Sequence, residues 1–473
     1  MIAQSLADIA ALTGGRLFGL TDDAAAGLVV DGGVVTDSRE AQPGSLYIAR
    51  VGEHADGHIY VPAARDRGAV AALTSREVDD LPGVVVADVQ SAFAALAAEQ
   101  VRLATSAPEP LTVIGITGSS GKTSTKDLLG QVLATAGETI APVGSYNSEV
   151  GVPLTICRIT ESTRYLVVEM GARGPGHIDY LCAMAHPRIG AVLNVGVAHV
   201  GEFGSVDAIE EAKGELPANL PAAADGGVAV LNADDERVAR MRARTSAAVV
   251  TTSALGRPDA DVRAVGVVLD PAARASFTLV TTDAHAPVRL GLVGAHHVGN
   301  ALVVAAVALA CGLSLPDIAT ALSGATTISG GRMQVTDRAD GVQVVNDAYN
   351  ANPDSMRAAL EALAVMAAGR RSWAVLGSML ELGDGSAAAH REVGAQAAAR
   401  GVDRLVVVGE MAAPIADGAR EAGLTDVRVV PDSEAAHALL RTELTAGDVV
   451  LFKSSNAAGL RLLADRILTE EPS

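Results

Sequence analysis

The sequence is poor in aromatic residues, which make up 3% of its 473 positions, while hydrophobic residues make up 49%. A large core therefore has to be built from Ala, Val and Leu. Cysteine is nearly absent too. Cys157, Cys182 and Cys311 are scattered without CxxC spacing, which excludes a disulfide framework and a zinc-type cluster and leaves three small core residues. A basic excess is missing: the formal charge is −19, which argues against a nucleic-acid partner but still permits small anionic ligands held by a few local cations. The longest apolar run, Ala301 to Leu313, is too short to span a bilayer and reads as a buried helix. No basic segment leads into an apolar core at the N-terminus, so a soluble, cytoplasmic protein is expected. Internal repeats and low-complexity tracts are also lacking, apart from a frayed tail expected at Thr469 to Ser473.

What is present centres on Leu111 to Gly137, LTVIGITGSSGKTSTKDLLGQVLATAG. Leu111 to Ile116 is a short apolar run and reads as a buried parallel strand. Leu128, Leu129, Val132 and Leu133 follow at helical spacing, with Gly137 as the expected stop. Between them, Gly118 and Gly121 let backbone N–H groups curl round an anion at a helix N-terminus. Lys122 can reach a β/γ-phosphate, and the Thr123 hydroxyl can hold Mg²⁺. Ile116 stands where the strict phosphate-loop pattern has Gly, so this is a variant of it. An ordinary Gly/Ser turn is the bland alternative, and GKT at a strand-to-helix junction speaks against it.

Length and pattern predict a three-part α/β chain. Residues 1–107 form an N-terminal α/β domain that ends in the proline-rich linker Ser106 to Pro110. Within it, Val34–Val35 runs into the polar turn Asp37-Ser38-Arg39, and Gly44 to Ala49 is a strand. His54 and His58 have metal-pair spacing, but Gly57 argues against a helix and hence against a metal there. Residues 108–330 form a central phosphate-loop domain with a mostly parallel sheet. Its expected strands end at Glu169, shortly before His199, and at Asn232 to Asp235. Ligands of an open parallel sheet sit beyond the carboxyl ends of the strands, so Glu169 and His199 become candidate Mg²⁺ partners facing a triphosphate. Asp207 to Glu210 reads as a capping box opening a helix that carries Lys213. On that helix Lys213 could simply pair with Glu210. Gly330-Gly331 marks a flexible junction. Residues 331–473 alternate strand and helix as a second, Rossmann-like unit.

TGSSGKTSTK, SYNSEVGVP, VVEMGA, NVGVAHVGEFG, EAKGELP, NADD, GGRMQV and NDAYNANPDSM occur in an order that resembles the Mur ligases, over nearly the whole chain. The resemblance implies a three-domain, ATP- and Mg²⁺-dependent amide-bond ligase of peptidoglycan synthesis. NDAYNANPDSM, GSMLELGDGS and LFKSSNA most resemble the members that add D-alanyl-D-alanine to UDP-N-acetylmuramoyl-tripeptide. By position, it implies that Gly118, Ser119, Ser120, Gly121, Lys122, Thr123 and Ser124 bind the triphosphate and that Thr123 and Glu169 ligate the first magnesium. His199 would sit by a second magnesium, and Lys213 would act there as a carbamate. Asn300 would approach the adenine, while Arg332 and Asp347 would reach ATP from the junction and the C-terminal domain. Asp37, Ser38 and Arg39 would belong to the UDP site and Asn147 to the sugar-nucleotide side of the central site. Tyr349 and Asn350 would contact substrate.

Four residues depart from the pattern: Ser148 for Asn, Ser378 for Asp, Ser454 for Gly and Asn456 for Arg. With Asn456 in that place, Lys453 becomes the candidate to hold the dipeptide carboxylate. Rival expectations are a relative with another acceptor, such as another Mur ligase or a folylpolyglutamate synthase, and a non-catalytic nucleotide-binding protein. A monomer is expected, with no membrane insertion.

Overall fold

A computed structural model describes residues 1–52, 55–196 and 200–469. Three α/β layers follow one another along the chain. The first carries a five-stranded sheet ordered Arg16–Phe18, Gly83–Val85, Ala71–Thr74, Leu46–Ile48, Val34–Val35, parallel except for its first pair. The 17-residue helix Val89–Thr105 closes it and buries Phe93, Leu96 and Val101.

The central layer is a nine-stranded sheet. Seven strands are parallel, from Glu138–Ile140 through Thr163–Glu169, Thr112–Thr117, Ile189–Val192, Val228–Asn232 and Ala248–Ser253 to Val262–Leu269. Arg274–Val280 and His285–Val293 extend it antiparallel. Thr112–Thr117 lies between the strands ending at Val192 and Glu169, with Thr117 opposite Val192 and Ile116 opposite Glu169. The loop after Thr117 and the Glu169 carboxylate therefore emerge at the same edge.

The loop helix, Lys122–Leu133, stops four residues before Gly137. Its face of Leu128, Leu129, Val132 and Leu133 packs in one core with the apolar helix His297–Ala310. The third layer is a six-stranded sheet ordered Gln334–Asp337, Gln343–Asn346, Val449–Lys453, Ser372–Leu376, Arg404–Val408, Val427–Val430, antiparallel only at its first pair.

Two expectations need correction. Lys213 ends the helix Val206–Lys213, whose cap is Ser205: its Oγ accepts from Ala208 N at 3.1 Å, while Asp207 bonds Arg237 instead. Glu210 also binds Arg237, so the Lys213–Glu210 pair does not form. Gly57–Tyr60 is a short 3₁₀ turn and not an α-helix, and His58 is a satisfied core residue. Its Nδ1 lies 2.6 Å from Asp56, and its Nε2 accepts from Ser75 N at 3.1 Å. His54 lies outside the described residues. Cys157 and Cys182 are buried as expected, and burial pushes both thiols up to about 12.

The central and C-terminal layers touch at a pair of glycines. Gly201 N donates to Glu381 O at 3.1 Å. A Cβ on Gly201 would stand 2.5 Å from the backbone nitrogen of Gly383. Among the described residues no helix is long and apolar enough to cross a membrane.

Candidate active site

The phosphate loop is fixed before any ligand arrives. Gly121 has φ +81°, and a Cβ there would come within 2.9 Å of Asn300 Oδ1, so glycine meets both the backbone conformation and the close approach. Asn194, at the end of the neighbouring strand, braces the loop from below. Its carbonyl accepts from Ser119 N at 3.2 Å, its Oδ1 accepts from Ser120 N at 2.9 Å, and its Nδ2 donates to Ser120 O at 3.3 Å. Gly196 N donates to Ser119 Oγ at 2.9 Å. Lys122 Nζ donates to Gly118 O at 2.6 Å, folded over the loop it belongs to. Burial lowers the Lys122 pKa, with Glu169 opposing that shift and Arg332 adding to it.

Beside the lysine sits an oxygen-rich cluster. Glu169 Oε2 accepts from Thr123 Oγ1 at 2.8 Å, and Oε1 accepts from Ser145 Oγ at 2.7 Å and Asn147 Nδ2 at 2.9 Å. One buried carboxylate and one hydroxyl suit Mg²⁺, which takes one or two protein oxygens and completes its shell with phosphate and water. Among the described residues no group of three His, Cys, Asp or Glu could cage a metal alone. Asn147, expected on the sugar-nucleotide side, is committed to Glu169 here. His199 lies outside the described residues. Lys213 is buried, and its amine is held well below the usual lysine range, first by burial and then by the Lys122 charge.

The phosphate loop, Ser145, Asn147 and Glu169 form one wall of a cleft of about 700 Å³, and Lys213 is not among its lining residues. Asn300 lines it against the Gly121 turn, at the phosphate-loop end. The far wall comes from the C-terminal layer. Arg332 lies 4.5 Å over the Tyr349 ring, and its Nε is buried without a hydrogen-bond partner. Asp347 accepts from Met333 N at 3.0 Å through Oδ1 and from Lys453 Nζ at 2.6 Å through Oδ2. Lys453 also donates to Asn350 O at 3.1 Å and is 2% exposed. Its ammonium is thus engaged with the C-terminal wall of the cleft that it also lines. The structure brings Lys122, Thr123, Glu169, Asn300, Arg332, Asp347, Tyr349 and Asn350 to one cleft. Asp37, Ser38 and Arg39 stand apart from it, with Arg39 clasping Asp37 at 2.6 Å.

Ser145, Asn194 and Arg357 also line the cleft and were not picked out from the sequence. Asn194 lies two residues beyond the strand Ile189–Val192, and that place at a strand end was the available signal.

Three family descriptions match the chain: "Mur ligase family, catalytic domain" over residues 32–104, "Mur ligase middle domain" over 116–308, and "Mur ligase, glutamate ligase domain" over 331–456. The UDP-N-acetylmuramoyl-tripeptide–D-alanyl-D-alanine ligase of Mycobacterium tuberculosis (strain ATCC 25618 / H37Rv) is 46% identical, with 100% of this chain and 99% of the relative covered. The Escherichia coli (strain K12) enzyme of the same name is 34% identical over 87% of each chain. Among solved structures, MurF from Acinetobacter baumannii superposes with a TM-score of 0.86 at 31% identity over 99% of each chain. MurF ligase from Thermotoga maritima in complex with ADP gives 0.77 at 28% identity, covering 91% of this chain and 96% of that one. With a phosphate loop, an oxygen-rich cluster and a C-terminal wall around one cleft, and with relatives this close along its whole length, the chain belongs to the Mur ligase family.

Proposed function

We propose that the protein joins D-alanyl-D-alanine to UDP-N-acetylmuramoyl-tripeptide at the expense of ATP, giving the UDP-muramoyl-pentapeptide, ADP and phosphate. The observation that carries this is the cleft itself, which sets Lys122 and the Thr123–Glu169 cluster opposite Arg332 and Asp347. The near-complete alignment with ligases of that name supports the choice of substrates. Residues 1–107 take the UDP end through Asp37, Ser38 and Arg39, residues 108–330 take ATP, and residues 331–473 take the acceptor. The nucleotide substrates make the cytoplasm the place of reaction.

A carboxylate at neutral pH is a poor acylating agent. In the first step a tripeptide carboxylate oxygen attacks the γ-phosphorus of ATP, the bond to the β-phosphate oxygen breaks, and ADP leaves. The product is an acyl phosphate. The dipeptide amine then attacks the acyl carbon. A tetrahedral intermediate collapses as the C–O bond to phosphate breaks, phosphate departs with the electron pair, and the ammonium proton passes to solvent.

Both partners in the first step are anions, so the barrier is largely electrostatic. Lys122 turns from Gly118 O to the γ-phosphate and neutralises part of that charge. Thr123 and Glu169 would hold Mg²⁺, which when bound would shield the phosphate oxygens. Arg332, with its unpartnered Nε, is the C-terminal contribution. Lys213 serves as a carbamate: burial and the Lys122 charge both disfavour its ammonium form, and a carbamate formed with carbon dioxide would offer magnesium an anionic oxygen where an ammonium would repel it.

The test is ADP release and product mass measured with ATP, UDP-muramoyl peptides and a panel of amino acids and dipeptides. The expected result is turnover only when ATP, the tripeptide nucleotide and D-alanyl-D-alanine are all present. Product without nucleotide, or equal turnover with a single amino acid, would overturn the reading.

A further inference from the structure

Next to the ATP cleft lies a second cavity of about 380 Å³, within the ~300–1,000 Å³ range of small-ligand sites. Tyr349, Asn350 and Asn352 line both, so a ligand in the second cavity touches residues that border the first. One wall is Arg173, four residues beyond Glu169 on the loop that leaves that strand. The facing wall carries Leu380, Glu381 and Asn456.

The charges of this cavity are two and opposite. Among the described residues that line it, Arg173 is the cation and Glu381 the anion. The Arg173 side chain is exposed, and its guanidinium has no ion pair or hydrogen bond among the described residues; only its backbone N–H is used, toward His177 Nδ1 at 3.3 Å. Glu381 has φ +64°, a left-handed conformation that a non-glycine residue adopts only when its surroundings impose it. Ala351 and Ala457 add methyl-sized lining. A short zwitterion with small apolar side chains fits such a place: carboxylate toward the guanidinium, amine toward the acyl group in the neighbouring cleft. Lys453, the cation that the sequence offered, does not line this cavity and is paired with Asp347 and Asn350.

We infer that this cavity is the acceptor subsite and that Arg173, from the central layer, binds the terminal carboxylate of the dipeptide. The inference rests on the ligase reading above and names the residue that makes a free C-terminus a requirement. A guanidinium presents paired N–H donors that match a carboxylate, a geometry Lys reproduces only in part.

The test is steady-state kinetics of the full-length protein and of Arg173→Ala and Arg173→Lys, with D-alanyl-D-alanine and with its C-terminal amide as acceptors. KM for the dipeptide should rise about tenfold or more in Arg173→Ala, the scale of a lost charge-assisted hydrogen bond, and less in Arg173→Lys. KM for ATP should stay put, which also reports that the variant is folded. Wild type should favour the free acid over the amide by a similar factor, and Arg173→Ala should treat the two alike. An unchanged dipeptide KM together with undiminished discrimination against the amide would overturn the Arg173 assignment and leave the ligase reading standing. Wild-type protein that does not use D-alanyl-D-alanine at all would overturn the ligase reading itself.

Discussion

Lys122 and Lys213 stand close enough to affect each other, yet their ammonium groups are situated differently. Lys122 rests on Gly118 O with Glu169 nearby, whereas Lys213 meets burial and the repulsion of Lys122. Replacing Lys122 by Met should remove an interaction of ~4 kcal/mol, the value for unit charges ~4 Å apart at an effective dielectric of ~20. That corresponds to a fall of about three orders of magnitude in kcat, measurable as ADP release. Lys213→Ala should be inactive and regain turnover with an added short-chain carboxylic acid; failure of every such acid would count against the carbamate. The phosphate loop was legible because its glycines, Lys122 and Thr123 fall within a few consecutive residues. The role of Asn147 was not, since its partner Glu169 lies 22 residues away. The pairing of Lys453 was not legible either, because spacing alone does not reveal that Asp347, 106 residues earlier, holds its ammonium.

The loop helix Lys122–Leu133 has a second job on its far side. Asp127 Oδ1 accepts from Lys126 Nζ at 2.5 Å, Lys126 also donates to Pro142 O, and Asp127 Oδ2 accepts from Ser329 N at 3.1 Å. Gln131 exchanges two hydrogen bonds with the backbone of Thr326. The helix that opens at Lys122 thereby clamps the segment leading to Gly331 and Arg332. Asp127→Ala strands the buried Lys126 ammonium and should cost about 3–5 kcal/mol, the usual penalty for breaking a buried pair, seen as a lower thermal midpoint. It should also raise KM for ATP, because Arg332 loses its anchored approach.

His390 fixes a wall of the smaller cavity in a similar way. Its Nε2 accepts from Met379 N at 2.9 Å, which leaves the proton on Nδ1, donated to Ser386 O at 2.7 Å. Burial lowers its pKa below the ordinary 6.5, so the folded state keeps it neutral while the unfolded chain takes up a proton below that pH. Its contribution is therefore complete above pH 6.5 and declines as pH falls below it. The gap in thermal midpoint between wild type and His390→Gln should shrink over that interval. Most parallel strands were legible at this scale as apolar runs. The antiparallel pair Arg274–Val280 and His285–Val293 was missed although its buried residues alternate regularly: Pro287 and Gly291 occupy outward positions, where they read as strand breakers. The helix cap was misplaced because Ser205 and Asp207 are both capping types, and Arg237 claims the aspartate.

Over the whole molecule, the cleft exists only because stretches far apart in sequence face one another. Ser119 to Glu169 form one wall, and Arg332 to Glu361 form the other. Division into three α/β parts could be read from the alternation of strand and helix. Which surfaces meet could not, because Gly201 and Gly383 carry no side chain for any pattern to register. Small-angle scattering should show the radius of gyration falling when an ATP analogue and the UDP substrate are added together. Identical curves would rule out a closing motion.

The bare contact between Gly201 and Gly383 turns this into an engineering handle. One methyl at position 201 would act as a doorstop. Gly201→Ala should still capture nucleotide, yet the scattering change should vanish and turnover should fall with it. Such a protein would be a stalled machine, loaded with both fuel and cargo, in which binding could be watched without the chemistry.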